Sequence, residues 1–247
     1  QSEQQAQRVQ DYMNYQICYN MEEYDPELDQ LLFYLPLSGS AFKKVYYDET
    51  KQRPVARFVP SEDIIVPYSS VDLANAVRLT HRLKMTGNEV RKLQVAGIYR
   101  DVPVRPTHVY SDLEETIEKV SGESATMTYE DDELEIYEIH TFLDLEGFED
   151  IGQDGEPTGI KLPYIITIDV GSSNILAIRR NYEEQDPQKN PNQYFVHYKF
   201  LPGLGFYGFG LPHIIGNLSR SATSILRQLI DAGTLANLPA GFKARGI

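Results

Sequence analysis

Apolar positions along the chain change period several times, and each change predicts an element. Over residues 3–20, Val9, Tyr12, Met13 and Ile17 recur at helical spacing. Asp25-Pro26-Glu27 then predicts a helix start, with an acid at the cap, proline in the first turn and Glu at the positive end of the dipole. Leu28, Leu31, Leu32 and Leu35 should form its buried stripe, and Pro36 its stop. Ala41–Tyr47 and Val55–Val59 read as two arms of a hairpin, followed by a short buried strand at Ile64–Val66. Val77, Leu79, His81, Leu83 and Met85 alternate with Arg78, Thr80, Arg82 and Lys84, the two-residue period of a strand. Thr86 and Glu89 are spaced as a capping box, opening a helix that Gly97 should end.

Pro103 and Pro106 mark a linker, and Ser111–Glu114 form a second capping box for a short acidic helix reaching about Val120. Residues 121–133 are polar and acidic. Glu135–Leu145, Tyr164–Val170, Ile175–Arg180 and Tyr194–Phe200 read as strands, joined by loops rich in Gly, Pro, Asp and Asn. A glycine-rich corner follows, and Pro212 opens a long helix. Along it Leu211, Ile215, Leu218, Ala222, Ile225 and Leu229 recur at steps of four and three, so one apolar seam runs its length and requires a protein partner. Gly233 is expected to cap it. The order of elements predicts an α+β fold, with a β-rich insertion between helical parts and one long helix near the C-terminus.

Charge changes the picture of the partners. The 247 residues carry a formal net charge of -13. Tight nucleic-acid binding draws on basic faces that neutralise phosphates, so the chain as a whole should repel DNA. Basic residues gather at Arg78, His81, Arg82, Lys84, Arg91, Lys92, Arg100 and Arg105, and acids at Glu130–Glu133, Glu135 and Glu138. Such separation could match complementary edges of neighbouring copies. Seventeen tyrosines without tryptophan suit subunit surfaces as well as sheets. One cysteine, Cys18, rules out an internal disulfide and fits a reducing compartment. No apolar window nears the ~18 residues of a membrane span, and no signal peptide is visible. The Gln start and the abrupt end at Ile247 are expected of a fragment.

Candidate chemistry is sparse. Gly203-Leu-Gly205-Phe-Tyr-Gly208 matches the spacing of a dinucleotide loop after a strand and before a helix, which opens a nucleotide-enzyme reading. Against it, no parallel strand follows the helix, Asp231 lies inside the helix, and aromatic residues crowd the loop. The acids of Asp144–Asp150 and Asp154–Glu156 open a calcium-binding structural reading, although their spacing is not that of an EF-hand. The five histidines show no zinc spacing. No catalytic residue, cofactor or metal ligand is expected.

The runs Tyr34–Tyr47, Phe58–Pro67, Thr80–Thr86, Phe206–Asp231 and Leu235-Ala-Asn-Leu-Pro-Ala-Gly241 occur in an order that resembles portal proteins of tailed bacteriophages, the podovirus-type head-to-tail connectors. The resemblance implies a non-enzymatic structural subunit of a ring, usually of twelve copies, at a capsid vertex in the virion, assembled in the host cytoplasm. Terminase, capsid and tail adaptor proteins would be its partners. Double-stranded DNA would pass its channel without sequence specificity during packaging and ejection. Residues 1–105 would be wing-like, 106–132 a linker with a short acidic helix, 133–200 a β-rich clip-like region, and 201–247 the corner, a stem-type helix and the start of a strand. The six seam residues would pack between subunits or stem parts, with Arg220 and Arg227 facing the channel or a neighbour.

Overall fold

The computed structural model describes residues 2–48, 51–106, 133–152 and 154–237. Helix α1 (Ser2–Tyr15) passes through a π-turn (Gln16–Asn20) to helix α2 (Tyr24–Ser38). Strands β1 (Ser40–Asp48), β2 (Arg53–Pro60), β3 (Ile64–Ile65) and β4 (Arg78–Thr86) precede helix α3 (Gly87–Val95). Strands β5 (Glu133–Leu143), β6 (Leu162–Asp169), β7 (Ile175–Arg180) and β8 (Phe195–Lys199) follow, then helix α4 (Leu211–Asn237). The fold is mixed α and β: two antiparallel sheets with helices, ending in a long C-terminal helix.

The first sheet has the order β2-β1-β8 and the second β3-β4-β5-β6-β7. Both are assembled across the boundaries read from the sequence. Strand β8 closes on β1 through Ser40↔Lys199 to Lys44↔Phe195, and β5 pairs with β4 along its length. The 1–105 and 133–200 regions therefore share both sheets rather than each building its own. The expected acidic helix at 111–120 and the acids Glu130–Asp132 lie outside the described residues.

Helix α2 lies on the first sheet. Glu23 pairs with Arg53, the Phe58 amide donates to Glu27 at 2.6 Å, and Tyr34 meets Phe58 edge-on. Several details of this helix differ from the sequence reading. Asp25 sits within its first turn, Pro36 sits within its last, and Gly39, in the left-handed region at φ 84°, caps it. A proline near a helix end costs little, because only the acceptor one turn back loses a partner. Leu31 is buried, whereas Leu32, expected in the stripe, is 56% exposed. The capping box at Thr86 and Glu89 forms as expected, with bonds in both directions.

The inner faces of the sheets enclose two apolar clusters. One joins Phe42, Val59, Ile64, Leu79, Phe195 and Phe206; the other joins Val90, Tyr99, Leu134, Ile136, Leu176 and Ala177. Along β4, Leu79 belongs to the first and Leu83 packs on the second, with His81 between them. On β5, Glu138 stands directly opposite His81. A polar row thus divides the core.

Candidate functional site

Helix α4 is the largest unsatisfied feature of the chain. It has no buried residue along its 27 positions, and its seam faces solvent. Leu211, Ile215, Leu218, Ala222, Ile225 and Leu229 are all exposed, Leu218 by 73% and Leu229 by 68%. Ile214, Leu226, Ile230 and Leu235 are exposed beside them, so the apolar face is broader than the six-residue seam read from the sequence. Arg220 and Arg227 are exposed on the same helix. Gly233 lies inside α4, which continues to Asn237, so it does not cap the helix as expected. Helix α1 also presents Val9, Tyr12 and Met13 to solvent.

The root of α4 is the glycine corner, and its geometry gives the glycines a packing role. A Cβ on Gly208 would stand 2.5 Å from the Gly39 carbonyl oxygen, and one on Gly210 2.4 Å from that of Leu37. A Cβ on Gly203 would lie 2.1 Å from the Tyr207 carbonyl oxygen, whereas one on Gly205 would meet nothing. The end of α2 and the start of α4 therefore touch backbone to backbone, a contact that only glycine permits. Amides of the corner are already committed: Gly208 donates to Ser40 Oγ at 2.8 Å, Phe209 to the Leu201 carbonyl, and Gly210 to His213 Nδ1. A phosphate cradle needs such amides pointing together at a ligand.

The acidic loop after β5 is likewise engaged. Asp150 pairs with Lys189 and accepts from Thr158, which holds its carboxyl below the usual range, Lys189 contributing most. Glu149 accepts from the Gly147 amide. Among the described residues no group of three or more His, Cys, Asp or Glu is placed to hold a metal ion.

Among the described residues, parts of the two charge runs meet in one sheet. Strand β4 carries Arg78, His81, Arg82 and Lys84 of the basic run, and its neighbour β5 carries Glu133, Glu135 and Glu138 of the acidic one: Lys84 stands opposite Glu135, and its amine is 3.7 Å from Glu133. Arg82 pairs with Asp63 and Arg91 with Asp101. Much of the apparent segregation is neutralised within the chain.

A buried charge cluster was not foreseen as a unit. Lys44 reaches from β1 across to Glu138 on β5 at 2.7 Å, and His140 Nε2 meets the same carboxylate at 2.9 Å. The Lys44 and Glu138 side chains are only 14% and 9% exposed. Burial works to raise the Glu138 pKa, but the hydrogen bond from His140 and the charge and bond of Lys44 outweigh it and hold the carboxyl well below its ordinary range. His81, beside it, is pushed down to about 3 by burial, with the Lys44 charge adding to the effect; its Nδ1 has no hydrogen-bond partner. Phe195 lies against His81, His140 and Lys44. One signal for this cluster was present: the two-residue period of β4 placed His81 on the apolar face.

No family model matches the chain, and no curated protein matches it. Among the described residues, no helix is long and apolar enough to cross a membrane.

Proposed function

We propose that this chain is a structural subunit of a bacteriophage portal ring, whose α4 packs against other protein in the assembly. The observation that carries the reading is the apolar face of α4, whose seam residues are all exposed among the described residues. A helix with three charged residues, Arg220, Arg227 and Asp231, and two internal glycines gains little from intrinsic propensity or ion pairs. In proteins such a helix draws its stability from burial of its apolar side.

The charge of the chain supports the same reading. The acidic chain also suits a channel wall over which DNA slides, since it offers no phosphate-neutralising stripe. Terminase, capsid and tail proteins would dock on the ring, and the subunit itself would carry no catalysis.

The test is the mass and shape of the full-length protein by native mass spectrometry and negative-stain imaging. Rings of about a dozen copies are expected, and Leu218→Asp should abolish them while leaving the subunit folded. A wild-type protein that stays monomeric at high concentration, or a Leu218→Asp ring, refutes the proposal.

A further inference from the structure

Helix α2 turns its two flanks to different surroundings. Glu27 accepts from the Phe58 amide, Tyr34 meets the Phe58 ring, and Glu23 pairs with Arg53, so one flank faces β2. The Lys43 amine lies over the Tyr24 ring at 4.1 Å, which sets β1 beneath the middle of the helix. Leu28, Leu32 and Leu35 recur at helical spacing on the other flank, towards β8. There the sheet is bare. Val196 and Tyr198 of β8 share the face on which α2 sits, because they pair with Lys43 and Ala41, and Val45 follows Lys43 on the same face. All three are exposed, as is Leu32. Leucine flank and strand face together form an apolar trough with a wall and a floor, ~22 Å long, the length of α2.

We propose that this trough receives α4 of a second copy of the chain, which deepens the ring reading and rests on it. Within one chain, the root of α4 touches the end of α2 at Leu37 and Gly39 and leaves its own apolar face uncovered. The six-residue seam alone would suit one partner helix. Ile214, Leu226 and Ile230 widen it to an arc of about 160°, at about 100° per residue. An arc that broad covers two surfaces meeting at a steep angle, which is what a floor and a wall provide. The trough accommodates about four of the roughly seven turns of α4.

Charge selects α4 among the helices that could lie there. Asp25 and Asp29 stand exposed one turn apart on α2, beside Leu32, with Glu22 exposed just before them, and α2 carries no basic residue. The polar side of α4 offers Arg220 and Arg227, with Asp231 one turn further on. Glu22 and Asp29 are separated by the same seven positions as Arg220 and Arg227, so both arginines can meet acids on the rim. Helix α1, which is also uncovered, carries Glu3 and Asp11 against Arg8 and would set acid against acid. Each copy then gives one helix and receives one. That is a heterologous contact, which repeats from copy to copy and closes into a ring when the rotation allows.

Disulfide trapping tests the assignment in the full-length protein, in a Cys18→Ser background. On mild oxidation a Leu32→Cys, Leu218→Cys double variant, or Leu32→Cys with Ile225→Cys, should give a ladder of covalent multimers. Each single-cysteine variant should give none. Leu32→Asp should abolish assembly in native mass spectrometry while leaving the urea midpoint of the subunit unchanged, because Leu32 is exposed in the single chain. Glu22→Lys with Asp29→Lys should raise the concentration of half-assembly about tenfold or more, and adding Arg220→Glu with Arg227→Glu should restore it. Several results overturn the trough while leaving the ring standing: rings that persist in Leu32→Asp, a charge swap that restores nothing, or Leu32→Cys linking to Met13→Cys of α1 instead. Closure within one chain, or dimers through Leu218→Cys alone, overturn it equally. A wild-type protein that stays monomeric removes both readings.

Discussion

Replacing Glu138 by leucine should be among the most damaging single changes available in the core, and restoring Lys44→Met alongside it should recover most of the loss. In the single variant the Lys44 amine remains between the sheets, 14% exposed, with its carboxylate gone. A buried charge stripped of its partner typically costs ~3–5 kcal/mol, a large part of the ~5–15 kcal/mol that holds a domain together. His140 loses its carboxylate too, but it still has Tyr194 and Phe195 beside it. In the Lys44→Met, Glu138→Leu double variant both charges and both desolvation costs disappear, and two apolar side chains join the flanking clusters. Its stability should lie within ~1 kcal/mol of wild type. Urea unfolding of all four proteins at pH 7, followed by circular dichroism, closes the cycle, with a coupling energy of ~2 kcal/mol or more expected. If Glu138→Leu costs under ~1 kcal/mol, or the two single losses simply add, the pair is not the tie between the sheets.

Acid should weaken the fold over a defined window. His81 and His197 have folded pKa values of about 3 and about 4, below the ordinary histidine value of 6.5, so the unfolded chain binds their protons first. Stability is therefore lost as pH falls from 6.5 towards those values, each histidine adding at most ~1.4 kcal/mol per pH unit to the slope. His197, being half-exposed, contributes less. Glu138, depressed below 4.5, adds to the loss below that value. Urea midpoints at pH 7, 6 and 5 should fall in that order, and a flat profile contradicts the burial of both rings. In the glycine corner, Gly208→Ala should lose ~1–3 kcal/mol or more, because the new methyl meets the Gly39 and Leu201 carbonyl oxygens at 2.5 and 2.6 Å. Gly205→Ala, with open space around it, should change the melting temperature little; equal effects would mean the corner is not packed as described.

What the sequence disclosed was local. Two-residue alternation announced β4, reciprocal Thr and Glu spacing announced α3, and the steps of four and three announced the face of α4. Each of these signals is complete within a dozen or so residues. Pairing is not local: nothing near Tyr194–Phe200 says that its neighbour is Ser40–Lys44, some 155 positions earlier, and this closure is what merges the two halves of the chain. The cluster of Lys44, Glu138 and His140 was hidden for the same reason, since the lysine and glutamate are 94 residues apart. The errors at Pro36, Gly233 and Leu32 have another cause. Helix-ending propensities are worth ~1–3 kcal/mol, and packing of α2 on the first sheet can outweigh the single acceptor that Pro36 leaves without its intrahelical partner. Leu32 shows that four leucines in a helix do not all reach one sheet.

The last consequence concerns α4 as a folding unit. Its 27 residues include Gly216 and Gly233, each ~1 kcal/mol worse than alanine inside a helix, and four isoleucines with stiff side chains. Thr223 and Thr234 bond back to the carbonyls of Ser219 and Ile230, which adds little. Helices of this kind are marginal in water when their apolar side is wet. If that side is covered only in an assembly, association supplies the free energy that completes the helix, and helical content becomes a function of concentration by mass action. Far-UV circular dichroism from ~0.5 to ~100 μM should then show helicity rising in step with assembly measured by light scattering on the same samples. The rise should approach the share of α4, about a tenth of the chain. Leu218→Asp should hold the signal at its dilute value throughout, because leucine there is 73% exposed in the single chain and its loss costs the subunit nothing else. Helicity that stays constant while the protein assembles would show that α4 is complete before it meets a partner, and that its apolar face is not what assembly buries.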